Sequence, residues 1–189
     1  MKEKIIKYLL FDFDGTLFDT KRANFIAYKK AFKYAGINIK EKDYYSAFGL
    51  RFDEMTKKIA PNTTTEEKQF IKITKAKYYL KNISQIKPNN HLINFIKLVK
   101  KEHKISLVTT ASKENVMNIL KHFQINGYFD LIVCGEDVIN GKPDPECYKT
   151  AIKKLGAKPE QCLIFEDSDI GLIAAKKSGA NVIKVEIDE

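Results

Sequence analysis

The stretch Tyr8-Leu9-Leu10-Phe11-Asp12-Phe13-Asp14-Gly15-Thr16-Leu17 decides how this chain is read, because an apolar run ends abruptly in two carboxylates spaced two apart. Tyr8 to Phe11 has the pattern of a buried strand. In extended chain, residues i and i+2 point to one side, so strand geometry carried through the stretch would turn Asp12 and Asp14 to one spot at its carboxyl end. Gly15 breaks the strand, and Gly15-Thr16 lets the backbone turn sharply, leaving both acids on the rim of a sheet. Burying two unpaired carboxylates would cost several kcal/mol, on the order of a domain's whole net stability. The two acids are therefore expected to share a cation or a substrate. Two oxygen ligands at this spacing suit a hard cation such as Mg2+, which keeps several waters and takes carboxylates plus phosphate oxygens.

Downstream of this stretch the chain changes rhythm twice. Asp19 and Thr20 can cap a helix running to about Ala35, where Gly36 stops it. Helical patterns follow over Glu41 to Phe48, Arg51 to Ala60 and Thr65 to about Ile83, and nothing in residues 20–87 alternates like a strand. From Asn90 onward helix and strand alternate. Leu92 to Lys101 is amphipathic, and Ile105 to Thr109 reads as a strand. Ser112 can cap a helix to Phe123, and Phe129 to Cys134 is a second apolar run. A helix over Pro145 to Leu155, a strand over Cys162 to Phe165, a helix over Ser168 to Lys177 and a strand over Asn181 to Val185 complete the chain. Alternation of this kind implies an α/β fold, a Rossmann-like parallel sheet covered on both faces, here with a small all-helical insert after the first strand. The expected division is a core of residues 1–19 and 88–189 and a helical cap of residues 20–87. Such a sheet binds its ligand beyond the carboxyl ends of its strands.

With 189 residues, 44% apolar and 30% charged, the chain has the length and composition of a soluble globular protein. No run reaches the roughly 20 apolar residues of a membrane span, and the first residues lack a signal peptide's apolar segment, so no membrane partner and a cytoplasmic location are expected. Cys134, Cys147 and Cys162 are far apart and form no CxxC pair. They read as small hydrophobes, with Cys147 on a helix. The net charge of +9 is localised: residues 21–90 hold 16 Lys and Arg against 6 Asp and Glu, while the rest holds 17 against 18. Lys-rich faces with interleaved Tyr bind nucleic acid in some proteins. The plainer account is a solvated helical face whose field also draws anionic substrates, and no nucleic-acid partner is expected.

The other strand ends carry their own chemistry. After Val108 come Thr109-Thr110-Ala111-Ser112, hydroxyls and backbone N–H groups at a helix start, suited to phosphate oxygens. Gly141-Lys142-Pro143-Asp144-Pro145 holds one lysine whose conformations Pro143 narrows. Glu166-Asp167-Ser168-Asp169 places acids at a strand end facing a helix start. Ser168 or Asp169 can cap that helix, whereas Glu166 and Asp167 come too early to do only that.

In this order, DFDGT, strand-Thr, GKPDP and strand-EDS followed by Gly171 and Ala174-Ala175, the four segments resemble the motifs of the haloacid dehalogenase-like phosphohydrolases from end to end. The helical insert sits where that family places its first type of cap. The branch it resembles is that of phosphoglycolate phosphatases and beta-phosphoglucomutases. A receiver domain also uses acids, a hydroxyl and a lysine, but its phosphorylated Asp ends a later strand and it has no helical insert. The resemblance implies a Mg2+-dependent phosphatase acting on a small phosphorylated metabolite, a monomer or homodimer. It makes Asp12 the nucleophile and Asp14 the acid and base. Thr109, Thr110 and Lys142 would hold the phosphoryl group, and Mg2+ would be bound by Asp12, the Asp14 carbonyl and Asp167 with Glu166 beside them.

The insert would select the substrate, through the turn at Gly49 and Arg51 and through Asn24 on the first cap helix. Phosphomutase relatives carry a His at the position aligned to Asn24. Asn24 cannot titrate, which favours phosphatase over the alternative, a sugar phosphomutase. A non-catalytic binding protein using the basic cap is the alternative of another class. Lys72, Lys75 and Lys77 are further cap candidates not separable from the solvated face, and His91, His103 and His122 read as surface residues.

Overall fold

Strand β1, Tyr8–Phe11, is the centre of a five-stranded parallel sheet in the computed structural model, which describes residues 5–187. The neighbours are β4 (Lys104–Val108) and β6 (Cys162–Glu166), with β5 (Leu131–Val133) and β7 (Asn181–Lys184) at the edges in the order β5-β4-β1-β6-β7. Parallel strands need crossovers, and the alternating helices supply them: α5 (Asn90–Val99), α6 (Lys113–His122), α7 (Glu146–Lys154) and α8 (Asp169–Lys177). Register aligns the carboxyl ends, since Phe11 is opposite both Leu107 and Phe165. The Phe11 and Phe165 rings stack with centroids 4.5 Å apart. On the other face, Leu10, Val108 and Ile164 pack with Tyr148, Ala151, Ala174 and Ala175 from the helices. All three cysteines are free and buried in this unit.

The chain divides into two compact units, Met1–Asp19 with Pro88–Glu189, and Thr20–Lys87. The second unit contains α1 (Lys21–Tyr34), α2 (Glu41–Tyr45), α3 (Phe52–Ile59) and α4 (Thr65–Lys81). Its core is Phe25, Phe32, Ile39, Tyr44, Met55 and Ile71. Helix α4 opens with a Thr64–Glu67 capping box and buries Ile71, Lys75 and Tyr79, one residue per turn.

Several local expectations change. The insert's boundary is not purely helical: Phe18–Asp19 (β2) and Lys87–Pro88 (β3) form a two-stranded ladder too short to leave an alternation in the sequence. Thr20 stands at the N-cap of α1 and Ser112 at that of α6, but neither side chain bonds the helix's first amides. At α6 the role falls to Glu136, whose carboxylate accepts from the Lys113 N–H at 2.9 Å. Helix α5 begins at Asn90, capped by Asn89, rather than at Leu92. His103 is half-buried, not a surface residue, and its Nδ1 is buried without a hydrogen-bond partner. Lys75 leaves the solvated face altogether: it is 8% exposed, its ammonium 4.0 Å from the Tyr79 ring centroid and 5.0 Å from that of Tyr28. Lys72 and Lys77 are exposed.

Candidate active site

β1 stops at Phe11, one residue before the first acid, so the alternation of a strand does not govern Asp12 and Asp14. A compact turn does. The Leu17 and Phe18 N–H groups both return to the Phe13 carbonyl, and the Gly15 N–H donates to the Phe18 carbonyl at 2.8 Å. Gly15 has φ +95°, a conformation that side chains resist. It is also a site of close approach, because a Cβ there would fall 2.2 Å from an Asp167 carboxylate oxygen. Asp12 is buried and tied by its N–H to the Phe165 carbonyl, whereas Asp14 is half-buried and forms an isolated bridge to Phe18.

The register of β1 and β6 brings the acids of two motifs together. Side-chain oxygens of Asp12, Glu166 and Asp167 all lie within 4.8 Å of one another. The Lys142 ammonium, 5% exposed and joined to Pro143 by a cis peptide, bridges Asp12 and Glu166. Glu166 is fully buried, and its oxygens are shared among protein donors. Lys142 and the Tyr148 hydroxyl meet Oε1, and the Ser168 N–H and hydroxyl meet Oε2. Ser168 caps α8 by accepting from the Gly171 N–H at 3.1 Å, and a Cβ on Gly171 would fall 1.7 Å from Glu166 Oε1.

Burial pushes the Asp12 carboxyl well above the usual carboxylate range, against the pull of Lys142. Burial works against the Lys142 charge, yet Asp12, Tyr148 and Glu166 around it hold the ammonium well above an ordinary lysine's range. Burial, aided by Glu166, pushes Asp167 up to about 6. With all three ionised, the carboxylates would carry two more negative charges than Lys142 neutralises, the charge of one divalent cation. Hard oxygen donors gathered this closely fit Mg2+.

Thr109 and Thr110 follow β4, beside β1. Thr109 is buried, with its N–H on the Val133 carbonyl, and its hydroxyl accepts from the Ala111 N–H at 3.0 Å, which leaves the hydroxyl able to donate. Asn24, Gly49 and Arg51 all belong to the helical unit. Asn24 is 8% exposed on α1, Gly49 takes φ +90° in the turn after α2, and Arg51 precedes α3 with its N–H on Glu54.

Three supporting residues escaped the sequence reading. The Thr16 hydroxyl donates to Asp167 at 2.9 Å, and its carbonyl accepts from Asn89 Nδ2 at 3.1 Å. Gly135 lets the Thr110 carbonyl approach to 2.5 Å from where its Cβ would be. Tyr148, on the helix that follows Lys142, sits inside the ionic cluster. The partners of Thr16 and Gly135 lie in other motifs, so local sequence carried no sign of them.

The chain matches a family model described as haloacid dehalogenase-like hydrolase over residues 9–185. It is 28% identical over 176 residues to the phosphorylated carbohydrates phosphatase of Thermotoga maritima, a match covering 90% of this chain and 81% of that protein. Against the phosphoglycolate phosphatase of Aquifex aeolicus, identity is 30% over 179 residues, covering 92% and 82%. Among solved structures, it superposes on a beta-phosphoglucomutase from Clostridium difficile with a TM-score of 0.84 at 29% identity, covering 95% of this chain and 84% of that one.

Proposed function

Because the chain belongs to the haloacid dehalogenase-like hydrolase family, we propose that it is a Mg2+-dependent phosphatase that hydrolyses small organic phosphate monoesters through an aspartyl-phosphate at Asp12. The observation that carries this reading is the buried cluster in which Asp12 shares Lys142 with Glu166 while Asp167 stands beside them. A buried carboxylate has few waters to shed before it attacks, which suits a nucleophile.

In this reading an Asp12 oxygen attacks phosphorus, and the ester oxygen leaves with a proton from Asp14. Asp14, now a carboxylate, takes a proton from the water that attacks the same phosphorus and releases Asp12. Lys142, the Thr109 hydroxyl and the amides around Thr110 hold the phosphoryl oxygens while charge moves between them. Asp12, the Asp14 carbonyl and Asp167 would hold Mg2+, with Glu166 beside them. When bound, Mg2+ supplies positive charge that lets one anion approach another. Asn24, Gly49 and Arg51 are proposed to select the rest of the ester.

The test is phosphate release from phosphoglycolate, hexose phosphates, nucleotides and pyrophosphate, with and without Mg2+, for wild type and Asp12→Asn. Mg2+-dependent turnover, lost by at least about 1000-fold in Asp12→Asn, is the expected result. No release from any ester by folded, Mg2+-supplied protein would sink the reading. The likeness to a beta-phosphoglucomutase supports one second reading, a sugar phosphomutase. Turnover of a hexose phosphate only after priming by a bisphosphate would select it.

A further inference from the structure

Tyr148 has no part in the proposed chemistry, yet it lies within the ionic cluster. It is fully buried on α7. Its hydroxyl donates to Glu166 Oε1 at 3.3 Å, the oxygen that also receives Lys142 Nζ. Its ring centroid lies 5.1 Å from the same ammonium. We propose that Tyr148 is a positioning residue for Lys142, dividing the charge of Glu166 with it and walling one side of it so that the ammonium stays on Asp12.

One cation is divided between two acids. Lys142 touches both Asp12 and Glu166, and its place between them depends on how much charge each acid leaves unmet. The Glu166 Oε2 is met by both donors of Ser168. Tyr148 supplies the second donor at Oε1. Without that hydrogen, Oε1 draws the ammonium toward Glu166 and away from Asp12, where phosphoryl oxygens would arrive. The ring adds a cation–π contact to the buried ammonium. The opposing account is a core tyrosine, since Tyr148 also packs among Leu10, Val108 and Ile164. Packing alone needs the ring and not the hydroxyl, and the two accounts part there.

This inference rests on the phosphatase reading, and the experiment separates the two. Tyr148→Phe, Tyr148→Leu and wild type, each as the full chain with Mg2+, are compared for kcat/KM on the preferred ester and for affinity for inorganic phosphate by calorimetry. Tyr148→Phe keeps ring and volume. It is expected to lose about 3- to 10-fold in both quantities, the range of one hydrogen bond. Tyr148→Leu, which also removes the ring, should lose more than Tyr148→Phe in both. Tyr148→Phe within twofold of wild type in both quantities would overturn the proposal, whatever its effect on the melting temperature. If wild type turns over no ester but binds phosphate, the phosphatase reading falls, and the phosphate affinity of Tyr148→Phe still decides the role of Tyr148. Wild type that neither turns over an ester nor binds phosphate overturns both.

Discussion

Asp167 links the site to stability. Burial, then the neighbouring Glu166, moves its carboxyl from 3.8 to about 6. Between those values the folded protein keeps a proton that the unfolded chain has released. Stability of the cation-free protein therefore falls as pH rises through this window and levels off above it. The loss from this one group amounts to about 3 kcal/mol. Asp167→Asn removes it, so in chelator at pH 7 the variant should be more stable than wild type, with the difference vanishing near pH 4. Urea unfolding from pH 4 to 8 reads this directly. Added Mg2+ at pH 7 should stabilise wild type and leave Asp167→Asn unmoved. A variant no more stable than wild type at pH 7 would mean that the carboxylate is already satisfied without a cation. Gly15 and Gly171 belong to the same scale, since each gives a carboxylate the room that a methyl would fill.

Among the elements, helix starts show best where sequence pattern runs out. The first apolar residue of α5 is Leu92, which is why periodicity starts the helix there, yet the turn before it is already helical and Asn89 accepts from the Leu92 N–H. Asn89 also donates to the Thr16 carbonyl, while its backbone N–H reaches the Leu17 carbonyl. Asn89→Ala loses the cap and one tie to the turn that carries Thr16 and Leu17 and keeps the backbone bond. Chemical denaturation should show a loss of about 1–2 kcal/mol, the range of an N-cap. A loss below about 0.5 kcal/mol would show that the backbone bond alone anchors the turn. Helix α6 makes the complementary point. Ser112 occupies the position that local chemistry favours, but Glu136, 24 residues beyond, satisfies the Lys113 amide. Nothing local could announce that partner.

At the scale of the molecule, net charge governs the encounter with an anionic substrate. A net +9 chain acting on anionic esters should lose kcat/KM several-fold as ionic strength rises from about 0.02 to 0.2 M, where the screening length shortens from roughly 20 to 7 Å. Little change in kcat is expected, because screening acts on encounter. In parallel, labelled single-stranded RNA or DNA should show no mobility shift at low salt. A salt-sensitive shift would instead turn the basic segment toward nucleic acid. No helix among the described residues is long and apolar enough to cross a membrane.

The sequence by itself determined the parallel α/β sheet, because buried strands and their covering helices write period and apolarity into contiguous residues. It also pointed, from residue type and order, to the residues that follow β1, β4 and β6 and to Lys142. Only the tertiary structure decided how they meet. Strand register set Asp12 beside Glu166 and Asp167, a turn rather than a strand oriented Asp14, and Lys142 came to be divided between two acids with Tyr148 against it. The hydrogen bond of Tyr148 to Glu166 spans 18 positions and that of Thr16 to Asp167 spans 151. A pairing of that kind is decided by three-dimensional packing and the balance of buried charge, neither of which leaves a local period in the chain.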